Sequence, residues 1–187
     1  MRYNCYSPIL YAKDSACTTR YLSNTLTPIY QPSPFWITVK TGYGQRFDDN
    51  WENRQRLAQI LFPLIAPNHK PLLRFLIEQE IICCRDYDGG SSLLKALCFM
   101  LYTMAEIEDS HLFYLAKFNT NFDVRIEADI EPIFGKNKDE TKRYFAQSEP
   151  ELVKAIEEYE TRPYRSHKEY IRWVEENNMM EYWLNEP

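Results

Sequence analysis

The chain has 187 residues, 44% of them hydrophobic and 26% charged, with a formal net charge of −5. That length suits one domain with a substantial core, and the composition excludes a disordered chain. The acid excess disfavours nucleic acid as the main partner, because phosphate contacts need surplus Lys and Arg.

The five cysteines, Cys5, Cys17, Cys83, Cys84 and Cys98, are odd in number and show no C-x-x-C spacing. Reduced, buried thiols in a cytoplasmic protein are therefore expected. The first residues lack the apolar run of a signal peptide, and no window approaches the ~20 apolar residues of a membrane span.

Met1 to Phe47 differs from the rest. Its only acid is Asp14, against Arg2, Lys13, Arg20, Lys40 and Arg46, and Pro8, Pro28, Pro32 and Pro34 break any helix. It reads as an extended, aromatic arm. Within it, Phe35 to Thr41 alternates β-branched and aromatic residues, which predicts one short strand with its turn at Gly42-Tyr43-Gly44 and no partner strand evident. The arm is expected to wrap the body, with a basic, Tyr-rich docking surface or self-association as the alternatives.

Helices begin near Asp48. Asp48, Asp49 or Asn50 caps a run through Leu57, Ile60, Leu61, Leu64 and Ile65, which Pro63 kinks and Pro67 ends. Asn68 caps the next, with Pro71 in its first turn, leading through Leu72, Leu73, Phe75, Leu76, Ile77, Ile81 and Ile82. The short connection predicts antiparallel neighbours. Asp86 to Gly90 is a tight turn into Ser91–Met104, which is apolar on nearly every side except at Lys95 and Thr103. A helix apolar all round must be covered all round, so this one belongs at the centre of the core.

The remaining helices carry start and stop signals. Glu106, Glu108 and Asp109 precede Leu112–Phe118, a favourable placement of negative charge. Asp123 is expected to cap one short helix running to Phe134, with Gly135 as its stop. Asn137/Glu140, Ser148/Glu151 and Ser166/Glu169 each have capping-box spacing. The fold class is mostly α: a single-domain helical bundle or stack of helical hairpins, with about seven to nine helices behind the arm.

Chemistry is weakly signalled. The Asp86–Ser92 turn lacks the Lys of a phosphate-binding loop and the G-x-G-x-x-G order of a dinucleotide fold. Glu108 and His111 stand three apart, as in di-iron bundles, yet neither His69 nor His167 supplies the second such motif. A single-metal site of His111 with Asp109, Asp123 or Glu127 is the residual metal reading. Neither catalytic residues, nor metal ligands, nor a cofactor motif are assigned. A helical hydrolase or metal-dependent enzyme centred on Glu108, His111 and Asp123 is the alternative, and it requires those side chains to converge.

The stretches Ala116-Lys117-Phe118-Asn119-Thr120-Asn121-Phe122-Asp123, Ala128-Asp129-Ile130, Phe134-Gly135 and Glu140-Thr141-Lys142-Arg143-Tyr144-Phe145 together resemble a block found in small, acidic, helical bacterial immunity proteins of interbacterial toxin systems. The resemblance spans about a quarter of the chain and omits the basic arm. It implies a stoichiometric inhibitor that binds a toxin domain, with no chemistry of its own; the acidic body adds the expectation that the toxin masked is basic, such as a nuclease. Acidic and aromatic residues supply the expected protein-docking set: Glu106, Glu108, Asp109, Phe122, Glu127, Asp129, Glu131, Tyr159 and Trp173.

Overall fold

The computed structural model describes residues 39–42, 45–87 and 90–186. The chain is mostly α, as the periodicity predicts. The expected arm is described only from residue 39 onward; its earlier part lies outside the described residues.

Two short strands open the described chain. β1 (Val39–Gly42) pairs antiparallel with β2 (Gln45–Asp48), in the register Val39 to Asp48 and Gly42 to Gln45. The first strand falls within the expected stretch plus one residue, and its partner is the element the sequence reading missed. Gln-Arg-Phe-Asp has little strand character, and its pairing with β1 is made by backbone groups.

Ten helices follow. They are α1 (Trp51–Leu61), α2 (Lys70–Asp86), α3 (Ser91–Tyr102), α4 (Asp109–Phe118), α5 (Phe122–Glu127), α6 (Glu131–Phe134), α7 (Lys138–Phe145), α8 (Pro150–Tyr159), α9 (His167–Glu176) and α10 (Met179–Asn185). α1 stops at Leu61, one residue before the 3-10 turn Phe62–Leu64 that contains Pro63. A second 3-10 turn, Pro67–His69, leads into α2 with Pro71 in its first turn. The ring Nδ1 of His69 accepts the Ala66 N–H at 3.2 Å, which fixes that corner.

α3 is the central helix. All of Ser91, Leu93, Leu94 and Ala96–Tyr102 are buried, with Leu97 and Leu101 fully so. It packs against α2 along its length and against α10, α1, α4, α5 and α6 elsewhere. α1 packs on α3 and α10. Polar chemistry joins α1 to α2: the fully buried Arg54 guanidinium donates to Glu80 of α2 and to Asp48 at the end of β2. One cation thus ties the hairpin to two helices, and burying it is tolerable because both carboxylates answer its charge.

The C-terminal apolar run, Met180, Trp183 and Leu184, closes over α3, with Trp183 edge-on to Phe99 at 6.5 Å between ring centres. Gln55 and Gln59 of α1 hold it down by donating to the Leu184 carbonyl at 3.2 and 2.8 Å. Cys83, Cys84 and Cys98 are free and buried, as expected, and burial pushes each thiol well above its ordinary pKa. Cys5 and Cys17 lie outside the described residues.

The expected helix from Asp123 to Phe134 is two helices. Asn121, rather than Asp123, caps α5 by accepting the Val124 N–H at 3.0 Å, and extended backbone at Ala128 breaks the run. Gly135 does end α6, at φ 63° and ψ −155°, a region essentially reserved for glycine. Of the three capping-box spacings, only Ser166/Glu169 forms the reciprocal pair. Asn137 accepts from the Asp139 and Glu140 N–H groups without a return bond, and α8 instead starts at Pro150, whose fixed φ favours the first helical position.

Candidate functional site

The predicted docking residues do not share one face. Asp109 is buried, accepting from Arg74 Nε at 2.6 Å and from the Glu106 N–H at 2.8 Å. It acts as an N-terminal clamp for the α4 turn. Glu131 is also buried: it accepts from Arg165 Nη1 at 3.1 Å and from the Arg165 N–H at 3.2 Å. Asp129 accepts the Tyr170 hydroxyl at 2.8 Å, and burial holds its carboxyl above the usual carboxylate range. Trp173 joins this group, stacked near Tyr170 and covered by the Arg165 guanidinium 4.1 Å from its ring centre.

The structure thus places Asp109 and Glu131 inside and Asp129 and Trp173 half-buried. Asp109, Asp129 and Glu131 each found a polar partner across a tertiary contact, and Trp173 sits half-buried over the same network. Burying an ionisable group requires such a partner, so the sequence excess of acid overstates the acid left on the surface.

Glu106 remains exposed but is paired with Lys70 at 2.6 Å, which holds its carboxyl below the usual range. Glu108 is exposed and accepts the Tyr144 hydroxyl at 3.2 Å. His111 points elsewhere, with Nδ1 3.5 Å from Glu149. Asp123 is exposed at the start of α5. Glu108 and His111 thus have separate partners, and among the described residues no three His, Cys, Asp or Glu side chains group as metal ligands.

The feature that stands out is α5. Phe122 is 73% exposed and Ile126 65% exposed, and at i and i+4 they share one helical face. Asp123 and Glu127 are exposed beside them. A six-residue helix has little intrinsic stability, so this one depends on its anchors. Val124 is buried against α3, and Asn121 caps the N-terminus. Lys117 of α4 is buried beneath it and donates to the carbonyls of Arg125, at 2.9 Å, and Ala128. Those are orphan acceptors of the helix end, and the cation is well placed at the negative pole. Burial nevertheless depresses the Lys117 pKa.

Beside α5 lies an aromatic set. Phe118 meets Tyr159 edge-on at 6.2 Å, the Arg125 guanidinium lies 5.2 Å over Phe118, and Arg162 lies 4.7 Å over Tyr159. The sequence reading named Phe122, Glu127 and Tyr159 and missed Ile126, Lys117 and Phe118's stacking role. The i/i+4 pairing of Phe122 with Ile126 is the sequence signal for this face, and the expected single helix to Phe134 hides it.

Two further surface features stand apart. Ile60, Phe62 and Leu64 form an exposed apolar corner around the first 3-10 turn, with no acid in residues 60–66. The start of α3 is occupied by carboxylates rather than open to phosphate: Glu127 and Glu186 accept the hydroxyls of Ser91 and Ser92. Among the described residues no helix is long and apolar enough to cross a membrane. No protein-family model, curated protein or solved structure matches the chain.

Proposed function

We propose that the chain is a non-enzymatic protein-binding protein, most specifically an immunity-type inhibitor that docks on a basic toxin domain through α5. The observation that carries this reading is the Phe122–Ile126 pair, exposed on a short helix that is anchored from below and flanked by Asp123 and Glu127. Large apolar side chains held rigidly at a surface supply the centre of a docking patch, and charges around them steer the partner and select its sign. The net charge of −5 favours a basic partner. The exposed corner at Ile60–Leu64 lacks the acidic flank and fits this role less well.

The direct test uses the product of the neighbouring gene, purified and mixed with the full chain. Tight binding with loss of the neighbour's toxicity is the expected result. Changing Phe122 and Ile126 together to Ser should weaken that complex at least about tenfold without unfolding the protein, since both side chains already face solvent. Reversing Asp123 and Glu127 to Lys should slow association and reduce its salt dependence. A neighbour that neither binds nor loses toxicity overturns the proposal, and unchanged affinity in the Ser variant removes α5 as the docking face.

A further inference from the structure

A cavity of about 290 Å³ lies between the starts of α7 and α9. Its lining combines the cations Lys136, Lys138 and Arg165 with the rings of Phe134 and Tyr164, edge-on to one another at 4.8 Å, and Lys138 lies 5.0 Å over the Tyr164 ring and donates to its hydroxyl at 3.1 Å. In a chain of net charge −5, a concave site with this cation surplus is against the average. Asp139 is the acid in the lining, and Lys142 lies 3.7 Å from its carboxylate.

The cations differ in what they already hold. Lys138 is paired with Glu160 at 2.8 Å, and Arg165 with Glu131 at 3.1 Å, so these two are fixed in place. Lys136 is exposed and enters no ion pair among the described residues. His167 is not one of these cations: burial and the charges of Lys136 and Lys168 hold its imidazole below the ordinary pKa, and its Nδ1 is shut off from solvent with no hydrogen-bond partner among the described residues.

The backbone adds donors. Asn137 takes the Asp139 and Glu140 N–H groups, and Ser166 takes that of Glu169. The N–H groups of Lys138, His167 and Lys168 find no acceptor among the described residues. Two helices of eight and ten residues therefore begin at one cavity, each with unanswered donors and the positive end of its dipole.

The geometry points to a binding site in this cavity for a small aromatic phosphomonoester, its phosphate toward Lys136 and the two helix starts and its ring toward Phe134 and Tyr164. The volume is at the lower end of the range for small-molecule sites and exceeds what a bare anion needs. This site is independent of the α5 face, and a protein partner bound there would leave the inference unaffected.

The test titrates phenyl phosphate into the full-length protein and follows backbone amide resonances, with inorganic phosphate and phenol as separate probes of the two halves. The expected result is saturable movement of the Lys138, His167 and Lys168 amides, with phenyl phosphate bound at least about tenfold more tightly than either probe. Lys136→Glu should weaken phenyl phosphate about tenfold or more, the scale of one lost charge-assisted contact. Lys154→Glu, at an exposed lysine of α8, should leave it unchanged. Absence of saturable movement, movement at other amides, equal binding of inorganic phosphate, or equal loss in both lysine variants would overturn the site.

Discussion

α3 and α5 touch, and their chemistry is opposite. α3 buries ten of its twelve residues and is held by apolar packing from several helices. α5 buries only Val124 of six and is held by hydrogen bonds at its ends, from Asn121 at the start and Lys117 at the finish. One helix supplies stability and the other is carried by it. Changes to the first should therefore appear as loss of fold, and changes to the second as loss of local order or of binding.

The largest effect is expected at Leu97, fully buried in α3. Leu97→Ala should cost roughly 2–5 kcal/mol in denaturant unfolding, from lost transfer energy plus a cavity. A loss well below that would mean that α3 is not the centre of the core.

Gly135 probes the surroundings of α3 at one remove, because its carbonyl accepts the Tyr102 hydroxyl at 3.2 Å. A Cβ there would stand 2.9 Å from Thr141 Oγ1 and 3.3 Å from Ser110 Oγ, on backbone that only glycine adopts easily. Gly135→Ala should cost about 1–3 kcal/mol. If thermal unfolding is unchanged, the α6–α7 corner is softer than its packing implies.

The smallest effect is expected at Asn121. Replacing it by Ala removes the cap of α5 and should cost about 1 kcal/mol. The sharper readout is hydrogen exchange: amides of 122–127 should lose protection while those of α3 keep theirs. Equal loss in both helices would show that α5 belongs to the same cooperative unit as the core, and the comparison would fail.

How much of this was legible depends on the range of the interaction. Ser91–Met104 announced itself as the core helix because a run apolar on all sides has no other place. Gly135 and the Ser166/Glu169 pair were legible because caps and stops act within a few residues. By contrast, the acid of Asp109 is answered by Arg74, 35 positions earlier, and that of Glu131 by Arg165, 34 positions later. No local pattern reveals such partners, so these carboxylates read as surface charge. The strand Gln45–Asp48 escaped notice for a related reason, since its pairing is made by backbone groups that every residue carries.

The docking candidate divides along the same line. The residue types on α5 were visible in the sequence, and Phe122 and Glu127 were named from it. Their separation from Asp129 and Glu131 came from the break at Ala128, where Lys117 caps the end of α5 and frees the chain to turn inward. By itself the sequence determined a helical body, its central helix and most helix limits, because periodicity and capping are local. Which acids stayed outside, and which helix was left exposed, was decided by the tertiary structure, because burial of charge depends on partners that only folding brings together.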